Sequence, residues 1–178
     1  METILFSIAL MAGVSVALGL TLFFVFVVYL LLPSVRGAPF VASDDETVRA
    51  MVALADLKPG EKSVDLGAGD GKIVIAFARA GAEAHGYEIN PFLVWQARRT
   101  IKKAGLSGRA FMHRRSFWKE DMARFDVVTL YGITYIMQGL EEKLGRELKS
   151  GARAISNYFS FPAWQPTRKE GRLLLYRK

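Results

Sequence analysis

Cysteine is missing from all 178 residues, and histidine occurs only as His85 and His113. Without a thiol there is no disulfide, no thiolate nucleophile and no cysteine-based metal site. Two histidines with 27 residues between them do not make a histidine-rich cluster, and no metal is expected. Charge is absent from one long stretch. Thr3 to Leu32 is thirty residues without Asp, Glu, Lys, Arg, His or Pro. Outside that run there is neither an internal repeat nor a low-complexity segment.

A helix needs about 20 apolar residues to cross a bilayer, so this run suffices, with some left for tilt. Its end, Leu22-Phe23-Phe24-Val25-Phe26-Val27-Val28-Tyr29, is too apolar for a helix with one wet face, and Tyr29 suits an interface. Pro33 is expected to stop the helix. A cleaved signal peptide would need a basic start and a shorter apolar core. The chain begins Met-Glu-Thr, so residues 1–33 read as an uncleaved anchor. Arg36 and Arg49 follow the run and nothing basic precedes it, which predicts a cytoplasmic C-terminal domain. Ala9, Gly13 and Ala17 repeat at small-xxx-small spacing, a pattern that lets two copies pack as a weak homodimer.

The formal net charge is +7, and none of it comes from residues 1–43, where Glu2 and Arg36 cancel. Residues 44–178 carry 23 Lys and Arg against 16 Asp and Glu. Such a domain favours anionic partners, whether lipid surface, nucleic acid or acidic protein, unless the charge is only a solvated surface.

Residues 34–42, after Pro33, form a linker punctuated by Gly37 and Pro39. The domain proper, 43–178, opens on Ser43-Asp44-Asp45-Glu46, a capping box with Ser43 as cap, and a helix to about Leu57. Strands and helices then alternate. Strands are expected at Ser63–Leu66, Ala84–Glu88, Arg109–His113, Asp126–Leu130 and Ala152–Tyr158, with a last one at Arg172–Arg177. Helices are expected from about Asp70 to Ala80, from Asn90-Pro91 to about Ala104, and over Ile136–Lys149. Arg114–Arg124 leaves room for a short helix. This alternation implies parallel βαβ units under helices on both faces, and the tail implies an antiparallel hairpin at one edge.

The stretch that organises the domain is Ser63-Val64-Asp65-Leu66-Gly67-Ala68-Gly69-Asp70-Gly71, a strand that breaks into a glycine turn before a helix. Such a turn brings backbone close to a ligand and aims helix amides at negative charge. The spacing is G-x-G-x-G. A dinucleotide fingerprint wants G-x-G-x-x-G, and a P-loop wants G-x-x-x-x-G-K-[ST]. Asp65 ahead of the glycines completes D-x-G-x-G-x-G, which resembles the first motif of seven-strand methyltransferases that use S-adenosyl-L-methionine. The resemblance implies a Rossmann-like α/β sheet and a site around Asp65, Gly67, Ala68, Gly69 and Asp70. Asp65 would meet the cofactor's ammonium and nearby amides its carboxylate. Glu88 would take the ribose hydroxyls, with Asn90 beside it and Tyr87 and Ile89 either lining the adenine or in the core. After strand 3, where the family often has an adenine-contacting acid, stand Ser116 and Phe117.

The match narrows further. Ala38-Pro39-Phe40-Val41 before a capped helix, the glycine loop, Gly86–Pro91, Asp126–Tyr131 and Ser150–Arg153 occur in one order behind a membrane helix. Over about residues 1–160 the chain resembles the membrane-anchored protein-lysine methyltransferases, whose mitochondrial members modify the c-ring protein of ATP synthase and the adenine nucleotide translocase. It departs from them at Ala42-Ser43, where Pro-Thr-Pro is usual, at Ala68, and at Lys72, where Arg is usual. The resemblance implies that Phe40 and Val41 cover the cofactor.

Methyl transfer to an amine is an in-line displacement, so the protein chiefly holds the amine in place. Tyr131, just past strand 4, could do so by hydroxyl or ring face, or could simply pack under the tail hairpin. Ser156, Asn157 and Tyr158 are expected to line the acceptor channel. A lipid or lipophilic small molecule is the alternative acceptor, and a non-catalytic cofactor-binding scaffold is a further alternative. No appended RNA-binding module is present, so nucleic acid is not an expected partner.

Overall fold

In the computed structural model, residues 2–35 and 41–178 are described, without the side chains of residues 3–5 and 29–35. Two compact units divide the chain, residues 1–39 and residues 40–178. The first contains α1 (Glu2–Val35), whose segment Phe6–Val28 is long and apolar enough to cross a membrane and is wholly unburied. Inside it Ser15 and Thr21 donate their hydroxyls to the carbonyls of Met11 and Ala17, both at 2.9 Å. An apolar environment demands such internal satisfaction of polar groups. The helix runs two residues past Pro33. A proline's missing N–H and its ring clash act on the turn behind it, so the helix ends soon after the ring rather than at it.

The second unit is one seven-stranded sheet in the order β3-β2-β1-β4-β5-β7-β6. Its elements are α2 (Asp45–Ala55), β1 (Lys62–Leu66), α3 (Lys72–Arg79), β2 (Glu83–Glu88), α4 (Pro91–Lys103) and β3 (Ala110–Arg114). A single 3₁₀ turn (Phe117–Lys119) follows, then β4 (Val127–Leu130), α5 (Thr134–Glu147), β5 (Arg153–Asn157), β6 (Arg168–Glu170) and β7 (Leu173–Arg177). Strands β1 to β5 pair in parallel, and β7 runs antiparallel between β5 and β6. The expected edge hairpin is therefore β6–β7. Its outer strand, Arg168-Lys169-Glu170, carries no apolar residue by which a sequence reading could find it.

Helices α2, α3 and α4 cover one face of the sheet. Val48, Met51, Leu54, Val74, Phe77, Val94 and Ile101 pack there on Ala84, Ala110, Val127, Ile155 and Leu175. On the other face stands α5 alone, with Met137, Leu140 and Leu144 against Val64, Val128 and Ala154. Loops complete that second core: Met122 and Phe125 arrive from the segment after β3, and after β5 Phe161 stacks on Trp164 and meets Tyr176 of β7 edge-on. Each fully buried side chain of this size contributes roughly 1.5–3 kcal/mol. Tyr87 is one of them, so the core reading of that residue holds.

Polar groups fasten these layers. Asp44, not Ser43, caps α2: its carboxylate accepts from the Thr47 amide at 2.7 Å and the Thr47 hydroxyl at 2.9 Å. Asp44 wins because threonine three positions on supplies two donors to it, while the Ser43 carbonyl accepts from Lys72 Nζ at 2.8 Å. At the other end of α2, buried Arg153 donates to the carbonyls of Ala55 at 2.6 Å and Asp56 at 2.7 Å and pairs with Glu61. Buried Lys143 ties α5 to the Glu120 carbonyl at 2.7 Å. Arg98 covers the outer edge strand by donating to the Met112 carbonyl at 2.7 Å.

Candidate functional site

The carboxyl ends of β1, β2 and β4 meet at the glycine loop, where an open α/β sheet presents its ligand crevice. Gly67, Gly69 and Gly71 all take positive φ, at 81°, 53° and 78°, so this turn needs residues without Cβ. Gly71 faces a second demand, since a Cβ there would lie 2.9 Å from the Cβ of Ala97. Gly86, in the middle of β2, is where the loop comes closest: a Cβ would lie 2.6 Å from that of Ala68. Most loop amides are already engaged. Gly67 and Ala68 donate to the Tyr87 carbonyl, Gly71 to that of Ala68, and Lys72 to Asp70 Oδ1.

Asp65 is buried on β1 between Gly86 and Thr129 in register. Burial pushes its carboxyl up to about 7, opposed by a 2.7 Å hydrogen bond from the Thr129 hydroxyl and reinforced by the charges of Glu88 and Asp70. A buried carboxyl of this kind answers a cationic ligand group, which would offset its desolvation and favour ionisation. Glu88, at the end of β2, accepts from the Gly69 amide at 3.0 Å and from the Asn90 amide at 2.8 Å. It thereby pins the loop to the start of α4, and each oxygen keeps a further lone pair for a hydroxyl. One acid for a cation, a second for hydroxyls and a glycine turn between them that lets backbone approach closely fit an amino-acid-bearing nucleoside without phosphate.

The other expected residues divide. Phe40 lies outside the described residues, and Val41 is exposed just ahead of α2. Ile89 and Asn90 are half-buried beside Glu88, and the Asn90 side-chain carbonyl is engaged in capping α4 through the amides of Phe92 and Leu93. Ser116 and Phe117 are half-buried at the 3₁₀ turn, where Ser116 makes no side-chain cap. Tyr131 is half-buried with its ring edge-on to Phe159, centroids 5.9 Å apart, so packing accounts for part of its position. Ser156 is buried, and its hydroxyl donates to the Phe159 carbonyl. Asn157 is buried with Oδ1 unpartnered, and Tyr158 is exposed at φ 75°. Thr129 was not expected. In Val127-Val128-Thr129-Leu130 it reads as strand packing, and only its register opposite Asp65 gives it a role.

Three comparisons bear on this site. Residues 65–168 match the ANTKMT methyltransferase domain. The adenine nucleotide translocase lysine N-methyltransferase of Mus musculus is 40% identical over 129 residues, 72% of this chain and 56% of that protein. The protein-lysine N-methyltransferase of Saccharolobus islandicus is 35% identical over 134 residues, 74% of this chain and 83% of that protein. The chain thus spans about half the length of the mouse relative and most of the archaeal one. An RNA methyltransferase of Salinibacter ruber, solved with S-adenosyl-L-homocysteine, superposes with a TM-score of 0.71 at 33% identity, over 77% of this chain and 92% of that one. With its Rossmann-like seven-strand sheet and its glycine-loop site, the chain belongs to the family of the ANTKMT methyltransferase domain.

Proposed function

We propose that this protein is an S-adenosyl-L-methionine-dependent methyltransferase that modifies lysine side chains of a membrane or membrane-associated protein. The observation that carries the reading is the buried Asp65 carboxyl, held by Thr129 across the glycine loop from Glu88. Asp65 would receive the cofactor's ammonium, Glu88 its ribose hydroxyls, and the half-buried Ile89 and Phe117 the adenine side. Ser116, lacking a carboxylate, leaves the adenine amino group to other acceptors. When bound, the cofactor supplies a methyl already activated by positive sulfur. The chain's own task is to present a neutral amine in line with it, and no strong base is required once the lysine has lost its proton. Tyr131 orients that amine, and Asn157 and Tyr158 border its approach.

The anchor reading rests on α1, whose length and composition suit a single span, and Arg36 and Arg49 after it favour a cytoplasmic catalytic domain. The bilayer as partner, and a second copy packed along Ala9, Gly13 and Ala17, are supported by composition and spacing alone. Lysine is preferred over RNA because the relatives at 35% and 40% identity carry lysine methyltransferase names. Calorimetry of Asp65→Ala and Glu88→Ala tests the cofactor site: both should bind S-adenosyl-L-methionine far more weakly, and unchanged affinity in both sinks the assignment. Native membranes incubated with tritiated cofactor test the acceptor. Label on protein lysines supports the reading, whereas label in extracted lipid or RNA moves the acceptor to that class. No label at all, with the cofactor still bound, favours the scaffold.

A further inference from the structure

The large apolar side chains left exposed in residues 41–178 are confined to one end of the sheet. They are Val41, Phe92, Trp95, Trp118, Tyr135 and Tyr158, from 42% to 75% exposed. Phe92 and Trp95 occupy the first turns of α4 after β2, and Trp118 the 3₁₀ turn after β3. Tyr135 begins α5 after β4, and Tyr158 follows β5. Val41 precedes α2, whose start is held at the same end by the bonds of Lys72 to Ser43 and Asp45. All six therefore ring the carboxyl ends of the strands, around the site. At the amino ends no large apolar side chain is exposed among the described residues.

We propose that this rim docks on the headgroup region of an anionic bilayer. Four of the six are Trp or Tyr, whose rings carry an apolar body and a polar edge and concentrate at membrane interfaces. Basic groups of the matching sign stand beside two of them. The Arg99 guanidinium lies 4.8 Å over the Trp95 ring and Lys119 follows Trp118, while Arg115 pairs with Glu120 and the acids Asp44, Asp45 and Glu46 follow Val41. A basic group near an anionic surface strengthens association about fivefold, and an aromatic beside it anchors depth. Scattered exposed apolar residues would need no explanation, but their confinement to one end does.

The inference rests on the proposed anchor, and one preparation separates the two. Residues 1–35 contain no tryptophan, so in the full chain the three indoles report on residues 41–178 alone. Trp164 serves as the internal control, stacked on Phe161 and tilted against Tyr176, which pairs with Ala154 toward the amino end of β5. Three single-tryptophan chains are reconstituted into phosphatidylcholine vesicles with or without phosphatidylglycerol, the acyl chains brominated near the headgroup. Trp95 and Trp118 should be quenched in the anionic vesicles and Trp164 should not. Arg99→Glu with Lys119→Glu should remove most of that quenching while circular dichroism stays unchanged. A chain that fails to float with vesicles overturns both readings. A chain that floats with Trp95 and Trp118 unquenched, or quenched equally without phosphatidylglycerol, overturns the rim alone. Quenching by an RNA oligonucleotide instead of lipid overturns it in favour of nucleic acid.

Discussion

The two ends of the sheet solve opposite problems. At the amino ends, Arg153 closes α2 and pairs with Glu61, Lys149 pairs with Asp126, and Lys62 bridges Glu83. Most polar groups there face partners of the opposite kind, Arg153 Nε being the exception. At the carboxyl ends the same backbone carries a buried acid, a buried amide oxygen without a partner and a tyrosine at positive φ. All three lie beside the crevice that an open α/β sheet presents to a ligand. The difference teaches that one sheet can hold its stability at one end and its reactivity at the other. Substitutions at the two ends should therefore separate folding from function.

The largest expected effect lies at the amino end. Arg153→Met removes the donors to Ala55 and Asp56 and leaves Glu61 without its buried partner. Breaking one side of a buried pair costs about 3–5 kcal/mol. Urea unfolding of the full chain in detergent should show a loss of that size, with cofactor affinity of the folded protein close to wild type. A loss under about 1 kcal/mol, the usual worth of an exposed pair, would erase the contrast between the ends.

The next effect lies at the carboxyl end and carries the opposite sign. Asp65 titrates near 7 when folded and near 3.8 when unfolded, so its contribution is full below about pH 4 and is lost as pH rises through 7. Asp65→Asn abolishes that loss. The variant should become the more stable protein between pH 4 and 7, by roughly a few kcal/mol at the top, while losing cofactor affinity. His85 and His113, 3.0 Å apart on β2 and β3, are both held below the usual histidine range, chiefly by burial. Their contribution is present above 6.5 and lost as pH falls, so the difference between wild type and variant is the quantity to plot. A pH-independent difference would mean that Asp65 is ionised throughout in the folded protein.

How far these ends could be read beforehand depends on the range of the contacts. The strand, glycine turn and helix around Asp65, the Asn90-Pro91 helix start and the long apolar run are local, and local pattern reveals them. Three features are not local. Thr129 acquires its partner 64 positions away through strand register. The short charged strand β6 exists only because β7 offers an edge. The aromatic rim gathers residues from Val41 to Tyr158 that no window of sequence would connect. Local competition misleads too, as where Ser43 and Asp44 both suit a cap and only Thr47's second donor decides.

Thr129 gives the smallest effect and the sharpest use of the comparison. Thr129→Val keeps the shape and the β-branch but removes the hydroxyl that donates to Asp65. That donor favours the ionised carboxylate, so without it Asp65 holds its proton to higher pH. Deleting such a bond is worth about 1–2 kcal/mol, hence a roughly five- to thirtyfold weaker cofactor Kd near pH 7. The deficit should shrink by about pH 9, where the carboxyl is ionised with or without the hydroxyl, and Thr129→Ser should restore binding. Unfolding stability should fall by about 1 kcal/mol, because the buried Asp65 carboxyl loses its partner whether protonated or not. If affinity stays at wild-type level at pH 7, Thr129 is strand packing only, and the carboxyl end contains one fewer device than its geometry suggests.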